Sequence, residues 1–330
     1  MPEKIFSEDG LVAAEDYTSA MNNHVLPFIR KYEEEIRISG FGEKQLFCVR
    51  YRNPEAVGTV VLVHGFTENA FKYAELICSL LRSGFSVVAY DQRGHGRSWR
   101  SPSVTNMSVT HIDDFNEYLA DLEIVINTVT PVCEGPLSVF AHSMGGAVAA
   151  LFLESHPDTF SRAVLCAPMI APNVGGLPAF IPSMICKTAS VIGHSSRKVF
   201  FMKPYSGHED FATSCATDKA RFYWYDNIKF ETPFFQNSIP TYSWVSESIK
   251  VTDKILAPGM PERISCPVLL FTADDDSSVM PEPQKKFIER VRNGSHVFVP
   301  SSRHEIFRSE NSVLFPWWNS VLRFLRGEKV

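Results

Sequence analysis

A chain of 330 residues, 45% hydrophobic and 21% charged, can bury a large core without disulfide or metal staples, and its composition excludes a disordered or fibrous protein. The formal net charge of −5 provides no basic footprint for a phosphate backbone, so nucleic acid is excluded as a partner. The seven cysteines are odd in number and scattered through apolar runs, so they read as reduced core residues, and no apolar run reaches the length of a membrane span.

Residues 1–30 carry no usable pattern and stand as an N-terminal extension; Met1-Pro2-Glu3-Lys4 does not open a secretory signal. Glu34–Ser39 and Gln45–Arg52 then read as a strand pair around Gly40 and Gly42. The run Gly58 to His64 is continuously apolar in its middle, as in a strand covered on both faces. A helix follows over Ala70–Leu81, stopped by Gly84, and a second buried strand over Phe85–Tyr90. The alternation repeats: helix Asp113–Val129, strand Leu137–Ala141, helix Gly145–Glu154, strand Ala163–Ala167. This order predicts an α/β protein with a mostly parallel sheet flanked by helices.

From Met169 to Met260 the alternation stops, and prolines and aromatic clusters replace it. The stretch is too long for a bare loop, so it reads as an inserted, mainly helical cap, 169–260, dividing a core made of 31–168 and 261–330. The core resumes with strand Pro267–Thr272, helix Pro283–Val291, strand His296–Val299 and helix Val313–Phe324.

Chemistry concentrates where strands end. Ala141-His142-Ser143-Met144-Gly145-Gly146 lies at a strand-to-helix junction, where a serine on a tight turn exposes its hydroxyl. Ser143 is therefore the candidate nucleophile, and the amide of Met144 at the helix start faces the oxyanion. Ala141 stands where the usual motif has glycine, the smallest possible departure. The amide of Phe66, after His64-Gly65, is the second candidate oxyanion donor, while His64 itself reads as structural. Three acids in a row, Asp274, Asp275 and Asp276, follow a later strand. Asp276 is preferred because it lies in the loop beyond the strand and Val279 can return the chain to the core, with the other two as alternatives. His304 supplies the base, giving the chain order Ser, Asp, His of an α/β-hydrolase. His142 reads as turned to the side opposite Ser143. No histidine or cysteine spacing calls for a metal or any other cofactor, and an epoxide hydrolase would need Asp where Ser143 stands.

Together with Asp91-Gln92-Arg93-Gly94-His95-Gly96-Arg97-Ser98, Glu68, Tyr73 and Arg303-His304-Glu305, these motifs resemble the monoacylglycerol lipase and lysophospholipase branch of the α/β-hydrolases over about residues 30–325. Within it, Pro240 to Ser248 is similar to bacterial inner-membrane lysophospholipases. The resemblance implies Ser143, Asp276 and His304 as nucleophile, acid and base, the Phe66 and Met144 amides as oxyanion donors, and a substrate with one acyl chain on a glycerol headgroup. It also favours a structural loop at Asp91 to Arg97. Apolar cap residues Leu177, Phe180, Ile181, Met184, Ile185, Val199, Phe200, Phe201 and Met202 are expected to roof an acyl groove over Ser143 and to allow a peripheral membrane contact. The expected location is the cytoplasm or the cytoplasmic face of an inner membrane. A peptidase or small-ester hydrolase on the same scaffold, and a binding protein without catalysis, are the rival readings.

Overall fold

A computed structural model describes residues 5–175 and 180–329. The N-terminal segment is helical, with α1 (Tyr17–Ala20) and α2 (Leu26–Ile29) joined by a wider π turn. Strands β1 (Glu33–Ser39), β2 (Gln45–Tyr51), β3 (Thr59–Val63) and β4 (Ser86–Tyr90) follow, with α3 (Ala74–Arg82) between the last two. A short β5 (Val109–Thr110) precedes α4 (Asn116–Val129), β6 (Leu137–His142), α5 (Met144–Ser155) and β7 (Arg162–Cys166). The cap holds α6 (Phe180–Val191), α7 (Lys219–Glu231), β8 (Ile239–Pro240) and α8 (Tyr242–Ile255). Strand β9 (Val268–Asp275), α9 (Pro281–Ile288), β10 (Gly294–Arg303) and α10 (Asn311–Leu325) complete the core.

The main sheet runs β1-β2-β4-β3-β6-β7-β9-β10, antiparallel at β1/β2 and β2/β4 and parallel elsewhere. Side chains alternate across it, as the period of two requires. Val61, Val63, Val139 and Ala141 meet α4 and α5 on one face, whereas Val60, Leu62 and Phe140 meet α3 and α10 on the other. Both faces are dry, which is why these strands read as unbroken apolar runs.

Four expectations shift. The helix expected from Ala70 opens as a 3-10 turn, because Asn69 caps it by accepting the Lys72 amide, and becomes α-helical only at Ala74. The helix expected from Asp113 starts at Asn116, since Asp114 holds a turn by accepting the Asn116 amide. The last strand extends to Arg303, with a register shift after Val299; as an exposed edge strand it lacks the apolar run that reveals the others. Residues 5–30 are an integral layer rather than an appendage: Leu11, Met21 and Val25 are fully buried with α3. There Tyr17 Oη and the Val12 amide donate to Glu75, Arg221 of α7 grips the same carboxylate with two nitrogens at 2.9 Å, and Trp224 donates to Asn22. The segment thereby ties the cap helix α7 to the core.

Candidate active site

The turn between β6 and α5 forces Ser143 to φ 51° and ψ −119°, a conformation costly for any residue with a Cβ and held here by the packed strand and helix around it. Gly145 makes the turn possible, since a Cβ there would collide with the carbonyl oxygens of Val63 and His64; one on Gly146 would strike Pro168. Ser143 Oγ is 2.8 Å from His304 Nε2, and His304 Nδ1 is 2.8 Å from Asp276 Oδ2. The other Asp276 oxygen accepts the amides of Ser278 and Val279, at 2.9 and 3.0 Å. Burial favours the neutral acid, but His304 and those two amides outweigh it and hold the Asp276 carboxyl below its ordinary range.

The two alternative acids do other things. Asp274 accepts the Ser301 amide, and Asp275, 81% exposed, faces Arg303 at 3.7 Å. The Gly65–Phe66 turn lies directly against the serine, for a Cβ on Gly65 would come within 3.0 Å of Ser143 Cβ. Among the described residues, neither the Phe66 nor the Met144 amide is spent on a hydrogen bond within the protein, which leaves both available to a developing oxyanion.

His64 is structural. Its Nδ1 donates to the Gly65 carbonyl while Nε2 accepts the Gln92 amide, and burial lowers its pKa, so it stays neutral. The loop after β4 is likewise a scaffold: Asp91 accepts the Ala70 and Arg97 amides, and Arg93 pairs with Asp121. His142 is not turned away from the site. Its Nδ1 meets Glu68 Oε2 and its Nε2 meets the His304 carbonyl, both at 3.1 Å. Two acceptors satisfy only a doubly protonated ring. Burial opposes that charge, but the Glu68 carboxylate prevails and raises the His142 pKa. Glu68, fully enclosed, also accepts from Gly65, Lys72 and Tyr73. This charged layer beneath the triad has no sequence signature beyond the proximity of Glu68 and Tyr73 to the Gly65 turn.

Above Ser143 opens a cavity of about 500 Å³. Of the nine apolar cap residues expected to roof it, Ile185, Val199, Phe201 and Met202 line it. Phe180, Met184 and Phe200 face solvent instead, Ile181 is half-buried outside the cavity lining, and Leu177 lies outside the described residues. Much of the wall comes from residues the sequence pattern did not single out, chiefly Met169, Trp244 and Val245, with Trp244 against the Phe66 ring at 4.1 Å.

Residues 54–311 match the Hydrolase_4 family, described as serine aminopeptidase, S33. The chain belongs to this family. It is 28% identical to lysophospholipase L2 of Escherichia coli strain K12 over 86% of its length and 84% of that protein's. It is also 24% identical to the monoacylglycerol lipase of Mycolicibacterium smegmatis over 78% of this chain and 84% of the other. A carboxyl esterase from Bacillus coagulans, in complex with glycerol, superposes with a TM-score of 0.70 at 17% identity, covering 89% of this chain and 98% of that one. The monoacylglycerol lipase of Paleococcus ferrophilus gives 0.66 at 22% identity, covering 86% and 99%. The fold is therefore the α/β-hydrolase fold of these structures.

Proposed function

We propose that the protein is a serine carboxylic-ester hydrolase that cleaves single-chain glycerolipids, lysophospholipids ahead of monoacylglycerols, through an acyl-enzyme. The observation that carries the reading is the hydrogen-bonded series Ser143, His304, Asp276 opening into an apolar cavity. His304 takes the Ser143 proton as Oγ attacks the ester carbonyl, and the Phe66 and Met144 amides hold the oxyanion. Collapse of the tetrahedral intermediate breaks the bond to the leaving alcohol, which receives that proton from His304. Water, deprotonated in turn by His304, attacks the acyl-enzyme, and collapse of the second tetrahedral intermediate breaks the bond to Ser143 Oγ, which takes that proton back from His304 as the fatty acid leaves.

The family description names a peptidase, but the full-length relatives named above are lipid hydrolases, and an apolar lining leaves peptide amides poorly paired. Each methylene buried contributes about 0.8 kcal/mol, so one acyl tail can position the ester. Exposed Phe180, Met184, Val191 and Ile192, with Lys187 and Arg197 nearby, fit a peripheral contact with an anionic bilayer at a cytoplasmic membrane face. No helix among the described residues is long and apolar enough to cross a membrane.

The test compares kcat/KM for a lysophospholipid, a monoacylglycerol of equal chain length, a diacyl phospholipid and an aminoacyl ester, all below their aggregation limits. The first two should be hydrolysed best. A win for the aminoacyl ester refutes the lipid reading, and a win for monoacylglycerol moves only the headgroup. Failure of the folded wild type to react with a fluorophosphonate probe would favour a binding protein.

A further inference from the structure

Beside the apolar cavity lies a second, polar chamber of about 380 Å³, and Thr67, Cys215 and Glu305 belong to the walls of both. With about 30 Å³ as one water's share of liquid, it holds roughly a dozen water volumes. Three cations face it: Lys72, Lys229 and Arg308. Lys72 sits between two carboxylates, Glu305 at 2.6 Å and Glu68 at 3.3 Å, and Arg308 spends its two Nη groups on Glu305, at 2.6 Å, and on the Arg221 and Phe222 carbonyls, leaving only its buried Nε without a partner.

Lys229 is different. Its side chain is 4% exposed, yet its one carboxylate partner among the described residues is Glu209, at 2.6 Å, itself 44% exposed. The contrast appears in their protonation: burial lowers both ammonium groups, but Glu305 and Glu68 bring Lys72 above its ordinary pKa, whereas Glu209, with a smaller pull from Glu305 and a push from Lys72, leaves Lys229 below its own. A buried ammonium whose one carboxylate partner among the described residues is itself partly exposed has room for one more anion. The Ser238 hydroxyl on the same wall is buried without a partner, and exposed Asp210 stands next to Glu209 at the rim.

We propose that this chamber receives the leaving half of the substrate, a glycerophosphodiester whose headgroup carries an ammonium, with the phosphate on Lys229 and the ammonium on Glu209 and Asp210. The inference rests on the esterase reading of Ser143 and specifies its headgroup. A phosphate oxygen on Lys229 makes a charge-assisted hydrogen bond to a side chain that is itself buried and releases Glu209 toward the rim. A primary ammonium donates to both carboxylates, which a trimethylammonium cannot do. Plain glycerol leaves Lys229 as it is and gains nothing from the charge.

The experiment measures kcat/KM for lysophosphatidylethanolamine and for a monoacylglycerol of the same chain, in wild type and Lys229→Met. The ratio of the two should fall by about 10-fold or more in the variant, as expected for losing a hydrogen bond to a charged group. Because it is a ratio, partial loss of folded enzyme does not alter it. Independently of any variant, glycerophosphoethanolamine should competitively inhibit wild-type hydrolysis of a soluble nitrophenyl ester at concentrations about 10-fold below those at which glycerol does. A ratio unmoved by Lys229→Met, or glycerophosphoethanolamine no better than glycerol, overturns the chamber while leaving the esterase intact. A wild type that hydrolyses neither lipid removes the functional reading and this one with it. Lysophosphatidylcholine served as well as the ethanolamine lipid overturns the role given to Glu209 and Asp210.

Discussion

Below the cavity, Ser143, His304, Glu68 and His142 are each less than a tenth exposed, and every polar atom of the triad has a named partner. Above it, Phe180 is 67% exposed and Val191 79%, and the wall is assembled from single apolar side chains on three separate stretches of cap. The floor is fixed by directional bonds and strained backbone, which tolerate little displacement. The roof is held by non-directional contacts, each worth a small amount. Substitutions in the floor should therefore act as near all-or-none events, and those in the roof as graded ones.

Ser143→Ala tests the floor hardest. Turnover should drop by about 10⁵-fold or more, by analogy with other triads, while the melting temperature stays close to wild type because the hydroxyl contributes little to packing. A variant keeping more than a few per cent of ester hydrolysis refutes the assignment. Asp276→Asn comes next, with a loss of about 10⁴-fold through the wrong orientation and tautomer of His304. The matched Asp275→Asn should change kcat by less than about two-fold, its carboxylate being solvated. Should the two losses be reversed in folded proteins, Asp275 is the acid.

The same division governs what the sequence discloses. Strands β3, β4, β6, β7 and β9 are buried on both faces, so their Val, Leu and Ala runs announce them; Ser143 and Asp276 follow β6 and β9, while His304 follows the exposed edge strand β10 and is found from the chain order Ser, Asp, His. Local steric demands at Gly145 and Ser143 also leave a local motif. The charged layer under the triad leaves only scattered motif residues whose joint role is not legible, because Glu68, His142 and Glu305 are brought together by the fold across more than two hundred residues. Nor does the packing of residues 5–30, whose short helices are interrupted by a π turn and whose partners, Glu75 and Arg221, are distant in the chain. In the cap, hydrophobicity alone does not say which side of a helix faces the substrate. Ile185 lines the cavity while Met184, one residue away on α6, faces water.

A fourth change probes a weak point behind the floor. Glu154, near the far end of the nucleophile helix α5, is fully buried with both carboxyl oxygens unpartnered, and burial raises its pKa to about 8 despite Arg290 and Arg263. The folded state thus holds a proton that the unfolded state releases near pH 4.5. Stability from this group is full below pH 4.5 and declines as pH rises through about 8. Glu154→Gln should remove that decline, stabilising the protein by roughly a few kcal/mol at pH 9 and little at pH 4. Urea unfolding at the two pH values reads it directly, and an equal shift at both would mean that the gain is packing rather than charge.

The roof should respond on a smaller scale and in proportion to chain length. Ile185 sits on α6 with one side toward the cavity and 46% of its surface in water, so replacing it with serine removes apolar wall without opening the core. An acyl tail long enough to reach that wall loses the contact of a few methylenes, about 1 kcal/mol at the usual area coefficient. That corresponds to about a five-fold fall in kcat/KM for a palmitoyl ester. A butyryl ester, too short to cross the cavity, should be hydrolysed as before, because chemistry at Ser143 does not depend on the distant wall. The ratio of the two substrates is therefore the quantity to measure, with both kept below their aggregation limits. Equal losses on both would make Ile185 a support for the floor rather than a surface for the tail. No loss on either would place the acyl chain elsewhere in the cavity, against Met169 and Trp244 on its other walls.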